Sequence, residues 1–175
     1  MLIGYPAPLA AGVSSAGKEV LTAILIKGRD MAYQLTLEDG QNALAQHAAD
    51  KALRLREKYG RNIDYKTLRT ILNDRDFVRY PTTIEFNSKA LAQGFFAWAR
   101  PVSQRPSDGF TLIVHEYFKD KPDDLPALVF YHLVTVNYGS LASHQEAESF
   151  GAAALGMERE AYYRLICRLA DQLPL

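Results

Sequence analysis

The sequence predicts an α+β fold, with a small antiparallel or mixed sheet of about three to four strands flanked by N-terminal and C-terminal helices. Three observations predict it. Residues 18–76 have mainly helical spacing of apolar side chains, residues 77–118 contain runs rich in aromatic and β-branched side chains, and residues 123–175 return to helical spacing. Residues 1–17, rich in Pro, Gly and Ser, predict an irregular arm ahead of one domain that spans residues 18–175.

The N-terminal helical region contains one weak pattern and two clear ones. Residues 18–37 predict either a helix that ends near Gly28 or two shorter pieces, because glycine interrupts the apolar spacing. Residues 41–59 carry a continuous apolar stripe, and Gly60 is expected to end this helix. Asp64 can cap a short helix that follows. The apolar positions of that short helix are Tyr65, Leu68, Ile71 and Leu72.

Three strand-like segments predict the sheet. They cover residues 77–86, 94–102 and 110–118, where aromatic and β-branched side chains are dense. Pro81 cannot donate a ladder hydrogen bond, so the first segment is expected to be an edge strand or to bend at its start. The turn-rich sequence SQRPSDG separates the second and third segments. Three such segments in succession predict an antiparallel or mixed sheet.

The C-terminal region predicts three helices. One of the two aspartates at 123 and 124 can cap the first, and Gly139 is expected to end it. Ser143 and Glu146 form the S-x-x-E capping box of the second, which Gly156 ends. A last amphipathic helix follows from residue 158.

Composition excludes several classes of protein. Twenty Lys and Arg balance twenty Asp and Glu, so the chain has no net positive charge. This argues against a protein that binds nucleic acid through an overall positive potential. Basic residues are dense over residues 51–69, but interleaved acids favour a solvated face over phosphate contacts. No apolar run reaches the ~18–20 residues of a membrane span, and the N-terminus lacks a signal-peptide pattern. A single cysteine, Cys167, excludes an intramolecular disulfide framework, and the expected location is the cytoplasm.

A cluster of histidines and a glutamate suggests a metal site. His115, His132 and His144 lie within 30 residues of one another, and Glu148 follows closely. Imidazole and carboxylate are common ligands of catalytic zinc. If the third predicted strand and the two helices after it met at one cleft, these four side chains could hold zinc and support a metal-dependent hydrolase. His47, beside an apolar stripe, is expected to be a surface or boundary residue.

The segment from His132 to Gly139 has the frame of the motif H-E-x-x-H-x-x-G, with the first histidine and the glycine at the right spacing. The strand-like sequence GFTLIVHEYF precedes it, and the helical sequence EAESFGAAALG follows. In this order and spacing, residues 82–157 resemble a small zincin metallopeptidase domain. The resemblance implies a zincin-like fold, a zinc ion and peptide hydrolysis.

Two substitutions within that frame argue against the peptidase reaction. The second zinc ligand would stand at Val136, which has no lone pair, and the general base would stand at Leu133, which cannot take a proton. We therefore expect a non-catalytic binding or structural role without a cofactor. The alternatives are the rebuilt zinc site and an unrelated α+β domain in which Gly139 only ends a helix.

His132 lies on an otherwise apolar predicted helix, so its ring nitrogens need partners. One interpretation is a core histidine bonded to Thr135, to a tyrosine or to the backbone. The other makes His132 one wall of a polar pocket. The further candidates for that pocket are Tyr131, His115 and Glu148.

Paired aromatic residues predict a surface for self-association. Neighbouring residues on a strand point to opposite faces, so one of Phe95 and Phe96 and one of Tyr117 and Phe118 should leave the core. A further pair of tyrosines stands at 162 and 163 on the last helix. Exposed aromatic side chains are typical of interfaces, and a homodimer needs only one such patch. The alternative is a second layer that covers both sheet faces.

Overall fold

The computed structural model describes residues 37–174. The predicted N-terminal arm and the pattern of residues 18–36 lie outside the described residues. In the described part, two helices precede a three-stranded sheet and three helices follow it, which confirms the predicted α+β class. The elements are α1 (Leu37–Tyr59), α2 (Tyr65–Asn73), β1 (Thr82–Phe86), β2 (Ala97–Pro101), β3 (Phe110–Val114), α3 (Leu125–Tyr138), α4 (His144–Leu155) and α5 (Arg159–Asp171).

Several helix ends lie where the local sequence predicts them. Gly60 follows α1 with a φ of +80°, a conformation that glycine adopts without strain. The Asp64 carboxylate accepts a hydrogen bond from the backbone N–H of Thr67 at 2.7 Å, which caps α2. Ser143 and Glu146 form the predicted capping box at the start of α4.

The sheet is mixed and has the strand order β1-β3-β2. β3 is central, with β1 parallel to it and β2 antiparallel. Leu112 of β3 therefore lies between Ile84 of β1 and Ala99 of β2. The strand next to β1 is not its neighbour in sequence, and among the described strands β1 and β2 lie at the two edges of the sheet.

The third predicted strand is shorter than expected. The sequence predicts a strand over residues 110–118, but β3 ends at Val114. His115 stops it, because its Nδ1 accepts a hydrogen bond from the backbone N–H of Tyr117 at 3.2 Å and starts a turn. A 3₁₀ helix, Glu116–Phe118, follows. This side-chain bond competes locally with continued strand pairing.

β1 and β2 are also shorter than the sequence predicts, in both cases at the N-terminal end. β1 begins at Thr82 rather than at residue 77, because the N–H groups of Phe77 and Val78 bond the carbonyl oxygen of Asp74 in a turn. The intervening Pro81 has no N–H to donate to a ladder. β2 begins at Ala97 rather than at residue 94.

Of the described helices, α3 is the most buried, because all but three of its 14 residues are buried. One side packs against the sheet, and the other packs against α4 and α5. The Tyr162 hydroxyl of α5 donates to the Ala127 carbonyl of α3 at 2.7 Å. Among residues 37–174, no helix combines the length and the apolar character that crossing a membrane requires.

Candidate functional site

One stripe of α3 lies outside its buried surface. It consists of His132, Thr135 and Tyr138, which are half-buried and spaced three residues apart, so they share one side of the helix. Tyr138 at the end of the stripe shares a 2.9 Å hydrogen bond with Nδ1 of His47 in α1. His47 is exposed, as expected. We call these three residues of α3 the α3 stripe.

Two polar atoms of the α3 stripe have no partner. His132 Nε2 and Thr135 Oγ1 are both shielded from solvent and make no hydrogen bond. Because the imidazole is desolvated, the pKa of His132 falls from 6.5 to about 4, so the ring is neutral at pH 7. The predicted bond between His132 and a threonine, tyrosine or backbone group is not made at Nε2. Buried polar atoms are seldom left in this state.

Two aromatic rings lie close to the His132 imidazole. The ring of Phe96, which directly precedes β2, lies edge-on at 5.3 Å between centroids, and the ring of Tyr131 lies at 5.5 Å. The structure therefore brings together three of the predicted pocket residues, His132, Tyr131 and Thr135. It adds Phe96, which the sequence analysis connected only with self-association.

A second polar group lies at the start of α4. The Tyr131 hydroxyl shares a 3.1 Å hydrogen bond with Nδ1 of His144, the first residue of α4. Glu148 follows one turn later, and its carboxylate lies 3.9 Å from Nε of Arg159. Burial raises the pKa of Glu148, while electrostatic interactions with Arg159 and His144 oppose that rise. The expected common helix face of His144 and Glu148 therefore positions the two side chains near each other.

The candidate zinc ligands do not form one cluster. His115 acts in the local turn after β3, where its Nδ1 accepts from the Tyr117 backbone. His144 bonds Tyr131, and His132 lies among aromatic rings. Across residues 37–174, no group of three His, Cys, Asp or Glu side chains is arranged to hold a metal ion. The rebuilt zinc site therefore gains no geometric support from the described residues.

The two decisive positions of the H-E-x-x-H frame lie in the core. Leu133, at the position of the general base, and Val136, at the position of the second ligand, are both fully buried. Their hydrocarbon side chains pack in the same apolar core as Leu128 and Val134. These two side chains contribute apolar contacts to the core, and neither has a lone pair that could bind zinc or accept a proton.

Asn137 has a role that the sequence analysis missed. This buried side chain donates to the Phe77 carbonyl and accepts from the Arg79 backbone N–H, both at 2.8 Å. The Asn137 side chain thereby connects the turn before β1 to α3 by two hydrogen bonds. The only sequence sign of this role is an amide in an otherwise apolar helix, and that sign does not identify its partners.

The paired aromatic residues are less exposed than predicted. Phe96 and Phe118 lie in the core, as one member of each pair should, but Phe95 and Tyr117 are half-buried rather than fully exposed. In the α5 pair, Tyr162 is buried and Tyr163 is 39% exposed. Tyr163 is therefore the member of these pairs that best fits the predicted surface.

The resemblance to zincins depends on the spacing of His132 and Gly139 and on the order of elements over residues 82–157. In the structure these elements are β1, β2, β3, α3 and α4 in turn. Comparison of the chain with protein-family models, with curated proteins and with solved structures finds no match, so the zincin resemblance stays a prediction.

Proposed function

We propose that this protein is a non-catalytic binding protein and that His132 and Thr135 of the α3 stripe hold its ligand. The observation that carries the proposal is the pair of buried polar atoms without partners, His132 Nε2 and Thr135 Oγ1. Leaving a buried donor or acceptor unpaired costs about 1–3 kcal/mol for each group. A ligand that bonds both atoms recovers this cost on binding, which makes the pair a source of affinity.

The chemistry of the pair defines the class of ligand. A neutral imidazole and a hydroxyl can each donate or accept one hydrogen bond, and neither carries charge at pH 7. A charged ligand group would lose its hydration here without a counter-charge. The Phe96 ring beside His132 offers apolar contact. The ligand is therefore an uncharged amide or hydroxyl group attached to an apolar portion.

The non-catalytic part of the proposal is supported by Leu133 and Val136. Both side chains are fully buried hydrocarbon where a hydrolase built on this helix needs a base and a ligand. The low pKa of His132 also makes it a weak base at neutral pH. Binding without turnover is the activity that these side chains can support.

Two finer features belong to the same proposal. A homodimer would use exposed aromatic side chains, of which Tyr163 is the best placed. Light scattering on the purified protein and on Tyr163→Ser tests the homodimer, and a strict monomer at micromolar concentration contradicts it.

A location in the cytoplasm is supported by the single cysteine, Cys167.

Nuclear magnetic resonance with N-methylacetamide, an uncharged amide with apolar ends, tests the ligand site. We expect saturable shifts of the His132 ring signals and of the backbone signals around Thr135. The double variant His132→Leu with Thr135→Val should lose these shifts, whereas the control Tyr163→Phe should keep them. The proposal is contradicted if the shifts persist in the double variant or if no shifts occur. It is also contradicted if the site holds only an ordered water.

A further inference from the structure

Residues of α2 and β1 line a groove, and none of them belongs to the α3 stripe. Its volume is ≈ 400 Å³. A second hollow of ≈ 340 Å³ shares the α2 residues Tyr65, Arg69 and Asn73 with it and adds Lys66. The two hollows therefore adjoin each other along α2, and we call them together the groove. The β1 residues that line it are Thr82, Thr83 and Ile84.

The backbone of β1 has hydrogen-bonding groups that point into this groove. The Phe110 N–H bonds the Pro81 carbonyl at 2.7 Å, and the Asn87 N–H bonds the Val114 carbonyl at 3.0 Å. Odd-numbered residues thus face β3, since alternate residues of a strand face alternate neighbours. The N–H and C=O groups of the even-numbered residues therefore face away from β3. Thr82 is only 5% exposed, whereas Ile84 and Phe86 are half-buried and leave part of this edge accessible. Within residues 37–174, no strand pairs with that edge.

The groove carries a local positive charge. Lys66 and Arg69 are exposed cations on its α2 side, and none of its lining residues is acidic. Within residues 37–174, Arg69 makes no ion pair, although the whole chain has a formal net charge of zero. Residues 1–36 contain three basic and two acidic side chains, so the formal net charge of this segment is positive.

We infer that this groove binds an extended acidic peptide segment of a partner protein, which adds to the sheet as a strand beside β1. Strand addition takes affinity from main-chain hydrogen bonds to an open edge. Carboxylates on the segment pair with the guanidinium of Arg69 and the ammonium of Lys66. Residues 83–86 of β1, which follow the buried Thr82, span about 13 Å, and a segment of about four to six residues covers this length. This surface is separate from the ligand site proposed on α3.

Fluorescence anisotropy with three labelled hexapeptides tests the inference on the full chain. The first alternates Glu and Val, the second alternates Lys and Val, and the third is the first with alternate backbone nitrogens methylated. We expect the Glu peptide to bind saturably and the other two to bind at least ~10-fold more weakly, a loss of about 1.4 kcal/mol or more. The methylated peptide isolates strand addition, because it keeps the charge and loses the donors.

A matched pair of arginine variants tests the charge. Arg69→Glu should weaken binding of the Glu peptide at least ~10-fold, because close charge pairs at an interface are worth more than that when reversed. Arg168→Glu, the same change at an exposed arginine of α5, should leave binding unchanged. Any of four results would overturn the inference. The Glu peptide could bind no better than the methylated peptide or no better than the Lys peptide, Arg69→Glu could have no effect, or no peptide could bind at all. A dimer that dissociates on Arg69→Glu would overturn it too, because the edge would then pair with a second copy.

Discussion

The aromatic ring of Tyr162 in α5 occupies the space that a side chain at position 151 of α4 would need. A Cβ built on Gly151 would overlap the end of this ring. The ring is fixed there because its hydroxyl donates to the Ala127 carbonyl of α3 at 2.7 Å. Three helices therefore meet at one glycine.

Gly151→Ala should destabilise the protein by about 1–3 kcal/mol, the usual cost of overpacking a core. Urea unfolding measures the change. Gly40→Ala is the matched control, because Gly40 is exposed in α1 and a Cβ there meets nothing within 4 Å. This control should stabilise by about 0.5–1 kcal/mol through helix propensity. Similar effects of the two substitutions would contradict the close contact with Tyr162.

The stability of the protein should depend on pH through His132. Its pKa is about 4 in the folded protein and 6.5 when unperturbed, so the unfolded chain takes up the proton first as the pH falls. The contribution of neutral His132 to the free energy of unfolding is fully present above pH 6.5 and is lost as the pH falls towards 4. Its size is about 3 kcal/mol, because one pKa unit corresponds to about 1.4 kcal/mol.

Unfolding free energies of the natural chain and of His132→Leu between pH 7 and pH 4 test this dependence. The leucine has no proton to gain, so the variant should lose less stability over this interval. Parallel curves for the two proteins would show that His132 is not the group responsible.

Asn137→Leu should destabilise the protein by about 2–3 kcal/mol. The substitution removes the partners of the Phe77 carbonyl and the Arg79 N–H, and unpaired backbone groups of this kind are costly. Asn73→Ala, an exposed amide at the end of α2, is the control and should change stability by about 0.5 kcal/mol or less. Thermal or urea unfolding measures both, and equal effects would refute the bridging role of Asn137.

Protein purified without a chelator should carry no stoichiometric zinc and should not cleave peptides when zinc is added. Leu133 and Val136 cannot activate water or ligate a metal from α3. Elemental analysis and a fluorogenic peptide assay measure the two properties. Stoichiometric zinc that disappears in His132→Leu would instead favour the rebuilt site of His115, His132, His144 and Glu148.

Local rules predict much of this fold. Gly60, Asp64 and the pair Ser143 and Glu146 end or begin helices where the sequence analysis expects them. These features depend on side chains and backbone groups within a few residues of each other. The strand bounds were predicted less well, because hydrogen bonds such as that between His115 and the Tyr117 backbone compete with the ladder.

The candidate site was predicted in part. The sequence indicates that His132 and Thr135 share a helix face and that Leu133 and Val136 cannot do zinc chemistry. It does not indicate that Phe96 lies against His132, because 36 positions separate them along the chain. Nor does it indicate that His132 Nε2 and Thr135 Oγ1 are left without partners.

Residue type and short-range spacing thus account for the α+β class, for most helix ends and for the chemistry that α3 lacks. The pairing of β1 with β3 rather than β2, the groove beside Arg69 and the surroundings of His132 come from the packed chain. These contacts join segments far apart in sequence, and burial of the whole core selects them, so no local pattern encodes them.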